Sequence, residues 1–329
     1  MFMEIFKLGD KGPNDPIASI PGNYSFSGQQ GEPHLVFMDV ESFRENLDLF
    51  NFPMKAINEV LDSSQFPNIE FYDEILFMTL NNIRITGLEH QLAAEEINLL
   101  LSQRSMAVIY HGDLQELYYA RKRLDHSNVS TALYTFLDGI MDNNKKIINR
   151  ISDDAEDLED EILQKVRVED KDKSKSSRSV FENPDEYMNR IVELRKEVHL
   201  LRNFVEPTQD VIEILEDQTK YIGENSSYFH KLSLKADRLT EQLNALTDII
   251  AEVRASWQSQ VDLSFNKIVK LFTVVTAVFA PLNLIAGWFG MNFLDMPLLS
   301  HNLGYPFVIV LAILVPVASL WWFRKNHYL

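Results

Sequence analysis

The chain has 329 residues, room for about two domains of ordinary size. Its 31 basic and 48 acidic residues give a formal net charge of −17, which repels nucleic acid and attracts cations, so DNA and RNA are discounted as partners. It contains no cysteine, which excludes disulfides and thiolate metal sites and fits a reducing compartment.

In chain order, Met1 to Pro13 has no apolar core followed by a small-residue cleavage site, so no signal peptide is predicted. Residues 1–112 read as a cytosolic α/β domain. His34 to Val40 predicts a strand, and Ser42 a cap for the helix after it, with Phe43, Leu47 and Leu49 as its apolar contacts. Met54 to Leu61 predicts a second short helix. Ile69–Tyr72, Ile75–Leu80, Ile83–Thr86, Ile97–Leu101 and Met106–Tyr110 are rich in β-branched and aromatic residues and predict strands separated by polar breaks. This region holds no Gly-rich phosphate loop, nucleophile elbow or zinc-type histidine pair.

Residues 113–228 predict a cytosolic helical region. Leu133, Phe136, Leu137, Ile140, Ile147, Ile151, Leu158 and Ile162 recur at helical spacing, and the charged, Ser-rich stretch Glu169 to Ser179 predicts a turn or flexible link. Asn183-Pro184 opens a second helix carrying Ile191, Leu194, Val198, Leu201 and Val205; Pro207 either kinks this helix or begins a new one at its first turn. Residues 229–290 predict a stalk helix that continues into a first membrane span at about 271–289. Its cytosolic part has a heptad seam: Leu232, Ala236, Leu239, Leu243, Leu246, Ile250, Val253 and Trp257 alternate steps of four and three and call for a partner helix.

Leu271 to Phe289 and Tyr305 to Phe323 contain no charged residue, and each is about long enough to cross roughly 30 Å of hydrocarbon. Lys267 and Lys270 precede the first run, and Arg324 and Lys325 follow the second. The positive-inside rule therefore predicts two spans in the cell's inner membrane with both termini cytoplasmic, an extracytoplasmic loop at 291–304 and a basic cytosolic tail at 324–329.

The first span and its approach carry an unusual face. Asn266, Thr273, Thr276, Ala280, Asn283 and Gly287 share one helical side and are polar or small. Helix–helix packing accounts for Thr, Ala and Gly, but two amides in hydrocarbon need water or partners. The same helix repeated around a water-filled axis supplies that water, so the stripe predicts a pore and an oligomer. The second span would lie outside, with Val308, Ile309, Val310, Leu311, Ile313 and Leu314 facing lipid or the first helix, and Trp321 and Trp322 at the interface.

At the end of the first span stands Gly290-Met291-Asn292, then Phe293, then Met296-Pro297. This resembles the CorA family of divalent-cation channels, whose signature is Gly-Met-Asn at this place. The likeness extends through Pro281 to Phe293, to Gly304-Tyr305-Pro306, to the basic Arg324-Lys325, and upstream to Phe52–Asp62 and Phe71–Phe77, so it covers nearly everything after about residue 34. It implies an α+β subunit: an N-terminal α/β cytosolic domain, long stalk helices forming a funnel and two C-terminal transmembrane helices, assembled as a homopentamer in lipid. It implies that Gly290, Met291 and Asn292 form the selectivity motif, with Asn292 holding Mg²⁺ through the ion's hydration waters. The residues matching the family's pore line are Asn266, Val269, Phe272, Thr276, Ala280, Asn283, Gly287 and Asn292, to which spacing adds Thr273. Val269, Phe272 and Ala280 are candidates for an apolar constriction that closes by dewetting.

No nucleotide-binding motif is present, so the membrane potential is the expected driving force and no organic cofactor is expected. A doubly charged ion gains about 4.6 kcal/mol per 100 mV. The resemblance also implies that cytosolic Mg²⁺, bound by carboxylates between subunits, holds the pore shut. Acids are densest at Asp153, Asp154, Glu156, Asp157, Glu159, Asp160 and Glu161, a run that also reads as an ordinary solvated helix face, and no regulatory residue is assigned. Only Asp295 is charged in the outer loop, a weaker funnel than the family's usual one. His111, His199, His230 and His301 do not pair at ligand spacing. Co²⁺, Ni²⁺ or Zn²⁺ transport within the same family, and a non-conducting membrane-anchored sensor or scaffold, are the alternatives; no nucleophile–base set points to an enzyme.

Overall fold

The computed structural model describes residues 3–8, 26, 33–50, 52–62, 66–72, 74–87, 91–112, 128–171, 184–291 and 304–326. The chain divides into two compact units, Met1–Asp160 with Asp185–Arg254, and Glu161–Pro184 with Ala255–Leu329.

Apolar runs of strand length in the first unit pair into one six-stranded sheet. Its strands are β1 (Met3–Lys7), β2 (His34–Asp39), β3 (Asn68–Tyr72), β4 (Ile75–Thr86), β5 (Gln91–Leu101) and β6 (Met106–Tyr110), in the order β1-β2-β6-β5-β4-β3. Among the described residues only the β2–β6 pairing is parallel, which makes the sheet mixed. Three short helices follow β2 directly or after brief turns: α1 (Val40–Glu45), α2 (Leu47–Phe50) and α3 (Met54–Leu61). Phe43, Phe52, Ala56 and Val60 pack there with Val36, Met38, Phe77, Leu100, Ala107 and Ile109 from the sheet to form the core. Burial of such side chains stabilises by roughly 1.5–3 kcal/mol each before the entropy of ordering is subtracted.

Three expectations are corrected here, and one strand is added. The cap of α1 is Asp39, not Ser42: the Ser42 amide donates to Asp39 Oδ1 at 2.7 Å, while Ser42 itself lies buried inside the helix. Asn81-Asn82 does not break a strand, because Asn82 Nδ2 donates to the Tyr110 hydroxyl at 3.2 Å and the ladder to β5 continues through both residues. The strand expected at Ile97–Leu101 begins at Gln91 and pairs along its length with β4. The added strand is Met3–Lys7, for which no element was predicted; it is held by antiparallel register to β2 through Met3↔Met38 and Lys7↔His34.

Long helices supply the rest: α4 (Val129–Lys171), α5 (Pro184–Glu216), α6 (Thr219–Ile222), α7 (Ser226–Phe289) and α8 (Gly304–Lys325). All eight apolar positions expected on α4, from Leu133 to Ile162, are buried, as are the five expected on α5. Helix α5 continues through Pro207, where the adjacent Thr208 hydroxyl donates to the Phe204 carbonyl at 2.6 Å. The whole heptad seam of α7, Leu232 through Trp257, is buried. Charged groups tie these helices together within the first unit. Lys235 on α7 reaches both Asp138 and Asp142 on α4, and Arg150 on α4 donates to Glu197 on α5 at 2.9 Å. Burial pushes the Glu197 carboxyl above its ordinary pKa, against the pull of Arg150. The link expected at Glu169–Ser179 lies mostly outside the described residues; Glu169 to Lys171 are helical.

Candidate functional site

The site begins with the length of α7. Its 64 residues run as one helix through Pro281, so the periodicity of the stalk is carried without a break into residues 271–289. At about 100° per residue, every third or fourth position returns to the same side. Val274 is buried and Ala277, Val278, Pro281, Leu282, Ile285 and Phe289 are half-buried, and they share one side. Asn266, Val269, Phe272, Thr273, Thr276, Ala280, Asn283 and Gly287 are all exposed, and their mean direction lies about 160° from that buried side. The stripe is therefore turned away from the face the helix buries.

Three features of the stripe bear on its chemistry. The Thr273 hydroxyl donates to the Val269 carbonyl at 2.8 Å, so its hydrogen is used within the helix and its remaining lone pairs face outward as acceptors. Val269, Phe272, Thr273, Thr276 and Ala280 line a common groove, with Phe265, Ile268 and Ala277 beside them. A side chain added at Gly287 would meet nothing within 4 Å, so this position keeps the stripe open rather than permitting a close contact. No carboxylate stands on the stripe; the acceptors are neutral amides and hydroxyls. Such groups accept hydrogen bonds from the water shell of a strongly hydrated cation without displacing it.

Helix α7 stops at Phe289 in a tightened turn. The Gly290 amide donates to the Ala286 carbonyl at 2.9 Å, and the Met291 amide to the Trp288 carbonyl at 3.4 Å. A Cβ on Gly290 would come 3.0 Å from the Ala286 carbonyl oxygen, a tight contact that would need a shift of a few tenths of an ångström. Met291 is exposed. Asn292, Asp295 and His301 lie outside the described residues.

Helices α7 and α8 are the two described helices long and apolar enough to cross a membrane. Their large apolar side chains are mostly exposed, among them Phe272, Leu284, Trp288, Phe307, Ile313 and Trp321. Such a surface is not that of a water-soluble monomer and is covered by lipid or by further protein.

Elsewhere, the acidic run on α4 lies on that helix's outer side: Asp153, Asp154, Glu156, Asp157 and Asp160 are exposed, while Ala155 and Leu158 between them are buried. Among the described residues no group of three or more His, Cys, Asp or Glu side chains is placed to hold a metal ion. His230 Nδ1 lies 2.8 Å from Glu216 and His111 Nε2 lies 3.4 Å from Glu96, contacts that bind helix to helix and strand to strand. His199 is exposed. Sequence reading missed the buried polar chain on β4 and β5, where Thr79 Oγ1 donates to Asn98 Oδ1 at 2.9 Å and Asn98 Nδ2 to Glu96 Oε1 at 2.7 Å. The alternation of polar residues in Thr79-Leu80-Asn81 and Glu96-Ile97-Asn98 is the signal that points to it.

Comparison with known proteins agrees with this architecture. The chain is 24% identical over 290 residues to the cobalt/magnesium transport protein CorA of Thermotoga maritima, covering 86% of this chain and 78% of that one. It is 25% identical over 285 residues to the putative metal ion transporter YfjQ of Bacillus subtilis, covering 84% and 82% respectively. The complete structure of the CorA magnesium transporter from Methanocaldococcus jannaschii superimposes with a TM-score of 0.75 at 17% identity, over 100% of this chain and 99% of that one. The family of CorA-like Mg²⁺ transporter proteins matches residues 35–325, and the chain belongs to that family.

Proposed function

We propose that the chain is one subunit of a homopentameric channel that admits hydrated Mg²⁺ to the cytoplasm through the inner membrane. Family membership makes it a divalent-cation transporter. One observation carries the finer reading: the small and polar stripe of the first span is exposed and lies opposite the side the helix buries. Copies of α7 arranged around an axis would give Asn266, Thr273, Thr276 and Asn283 the water they need, and would place Val269, Phe272 and Ala280 where a dry constriction closes the path.

Gly290, Met291 and Asn292 then stand at the outer mouth, where a ring of Asn292 amides selects the ion through its bound waters. Neutral oxygens suit an ion that dehydrates reluctantly, because they hold the water shell without binding so tightly that release is slow. Asp295 adds one charge per subunit to the approach. The positive flanks Lys267, Lys270, Arg324 and Lys325 place both termini in the cytoplasm, so an inside-negative potential drives uptake. Cytosolic Mg²⁺ bound between subunits closes the pore and limits accumulation. The name of the Thermotoga maritima relative supports Co²⁺ as a second permeant ion.

The test is divalent flux into proteoliposomes containing only this protein, at inside-negative potential, read by a lumenal Mg²⁺ dye. Uptake that stops when lumenal Mg²⁺ is raised is the expected result. A folded oligomer that passes no Mg²⁺, Co²⁺, Ni²⁺ or Zn²⁺ would overturn the channel in favour of a sensor.

A further inference from the structure

The end of α8 departs from the rest of the chain in charge and in exposure. The protein as a whole is strongly acidic, yet from residue 263 onward its charged residues are Lys267, Lys270, Arg324 and Lys325 with Asp295 the single acid. In the last turn of α8 Phe323 is buried, while Trp321, Trp322, Arg324 and Lys325 are exposed on the remaining sides. Lys325 Nζ sits 5.1 Å from the centre of the Trp321 ring, so the indole holds the ammonium at the edge of the apolar surface. Asn326 caps the helix, its amide nitrogen and its Nδ2 both donating to the Trp322 carbonyl at 3.1 Å. The cations are thus not needed to satisfy that carbonyl.

Lys267 and Lys270 belong to the same end of the spans. On the helical wheel Lys267 falls on the side of Val274, and Lys270 within roughly 60° of it. Both lie about 100° or more from the centre of the stripe, where a cation would oppose the passage of Mg²⁺. The helix therefore presents its positive charge away from the ion path.

We propose that Lys270, Arg324 and Lys325, with the indoles of Trp321 and Trp322, form a collar that binds the phosphate groups of anionic phospholipids in the cytoplasmic leaflet. The chemistry is complementary: paired cations for the phosphodiester, indoles for the depth of the headgroup, and an apolar helix below for the acyl chains. The collar also offsets the repulsion between an anionic leaflet and the acidic cytosolic part of the chain. The inference rests on reading residues 271–289 and 305–323 as membrane spans.

The test reconstitutes the full-length protein, carrying Trp288→Phe to silence the indole at the other end of the first span. Its tryptophan fluorescence is quenched with brominated phosphatidylglycerol or brominated phosphatidylcholine. Each cation near the surface favours the anionic lipid by about fivefold, so the relative association constant should exceed about five and fall in high salt. Arg324→Gln with Lys325→Gln should lower it to about five, Lys270→Gln alone should lower it in part, and all three substitutions together should bring it close to one. Equal quenching by both lipids in the starting protein would overturn the collar while leaving the spans in place. A preference that survives all three substitutions would overturn it as well. Quenching by neither lipid would instead overturn the membrane spans themselves.

Discussion

The two halves of α7 obey the same periodicity under opposite rules. Between Leu232 and Trp257 the apolar residues recur every three or four positions and disappear from the surface; Leu243 is 0% exposed. Between Leu271 and Phe289 nearly every side chain is apolar, yet several of the largest stand in the open: Phe272 is 66% exposed, Leu284 71% and Trp288 62%. In water the hydrophobic effect sorts a helix into an apolar inside and a polar outside. In lipid that force is absent, so the informative residues are the small and polar ones that depart from the background. The apolar seam marks the packed face of the stalk, and the polar stripe marks the exceptional face of the span.

The largest expected effect tests the second half. Asn283→Leu should dry the stripe and lower Mg²⁺ flux by about tenfold or more while the oligomer still elutes at its normal size; unchanged flux would make Asn283 a packing residue. Asn292→Ala should likewise abolish selective uptake without disturbing assembly, read as flux in mixed-ion solutions.

Next comes a direct contrast within the one helix. Leu243→Ala should cost about 2–5 kcal/mol by removing buried volume from the seam, followed by denaturation with Trp257 fluorescence as the probe. Leu284→Ala should change stability by no more than about 0.5 kcal/mol if lipid covers it, and a larger loss would mean that a neighbouring subunit does.

A smaller effect is expected where charge, not apolar area, joins the stalk helices. Lys235→Met leaves Asp138 and Asp142 facing each other across one turn of α4 without their shared cation, and should lower the free energy of unfolding by about 1–2 kcal/mol, read by denaturant titration. Asp142→Asn in the same background should restore part of the loss.

The smallest concerns α1. Asp39→Ala should cost about 1 kcal/mol at neutral pH through loss of the cap. Burial works against the Asp39 carboxylate, but its hydrogen bonds from Ser42 prevail and hold it below the ordinary aspartate value of 3.8. The contribution is therefore complete above that value and lost as pH falls through the lower, folded one, so the gap between variant and parent should close in acid.

What could be read in advance follows the same division. The α7 seam, the apolar positions of α4 and the helix Met54–Leu61 were legible because their pattern is local and repeats. Strand β1 was not, because five residues with adjacent apolar Ile5 and Phe6 carry no alternation; only the register against β2 defines them. The continuation of β4 through Asn81-Asn82 depends on Tyr110, distant in sequence. The choice of Asp39 over Ser42 as cap turned on where β2 ends, a matter of one to three residues. The stripe was legible as an anomaly of composition, and its exposure opposite the buried side required the helix to be continuous through Pro281. Asn292 and Asp295 were legible as sequence, and their geometry lies outside the described residues.

The direction of α7 has an electrostatic meaning of its own. Every peptide dipole in a helix points its carbonyl toward the C-terminus, and the last turn carries a partial negative charge of about half an elementary charge. Here that terminus is the turn closed by Gly290 and Met291. In the proposed pentamer, five such ends would converge on the outer opening. The backbone would then supply a negative field where the loop supplies only Asp295, drawing cations inward and discouraging anions. No acidic side chain is required, and no single substitution could remove it.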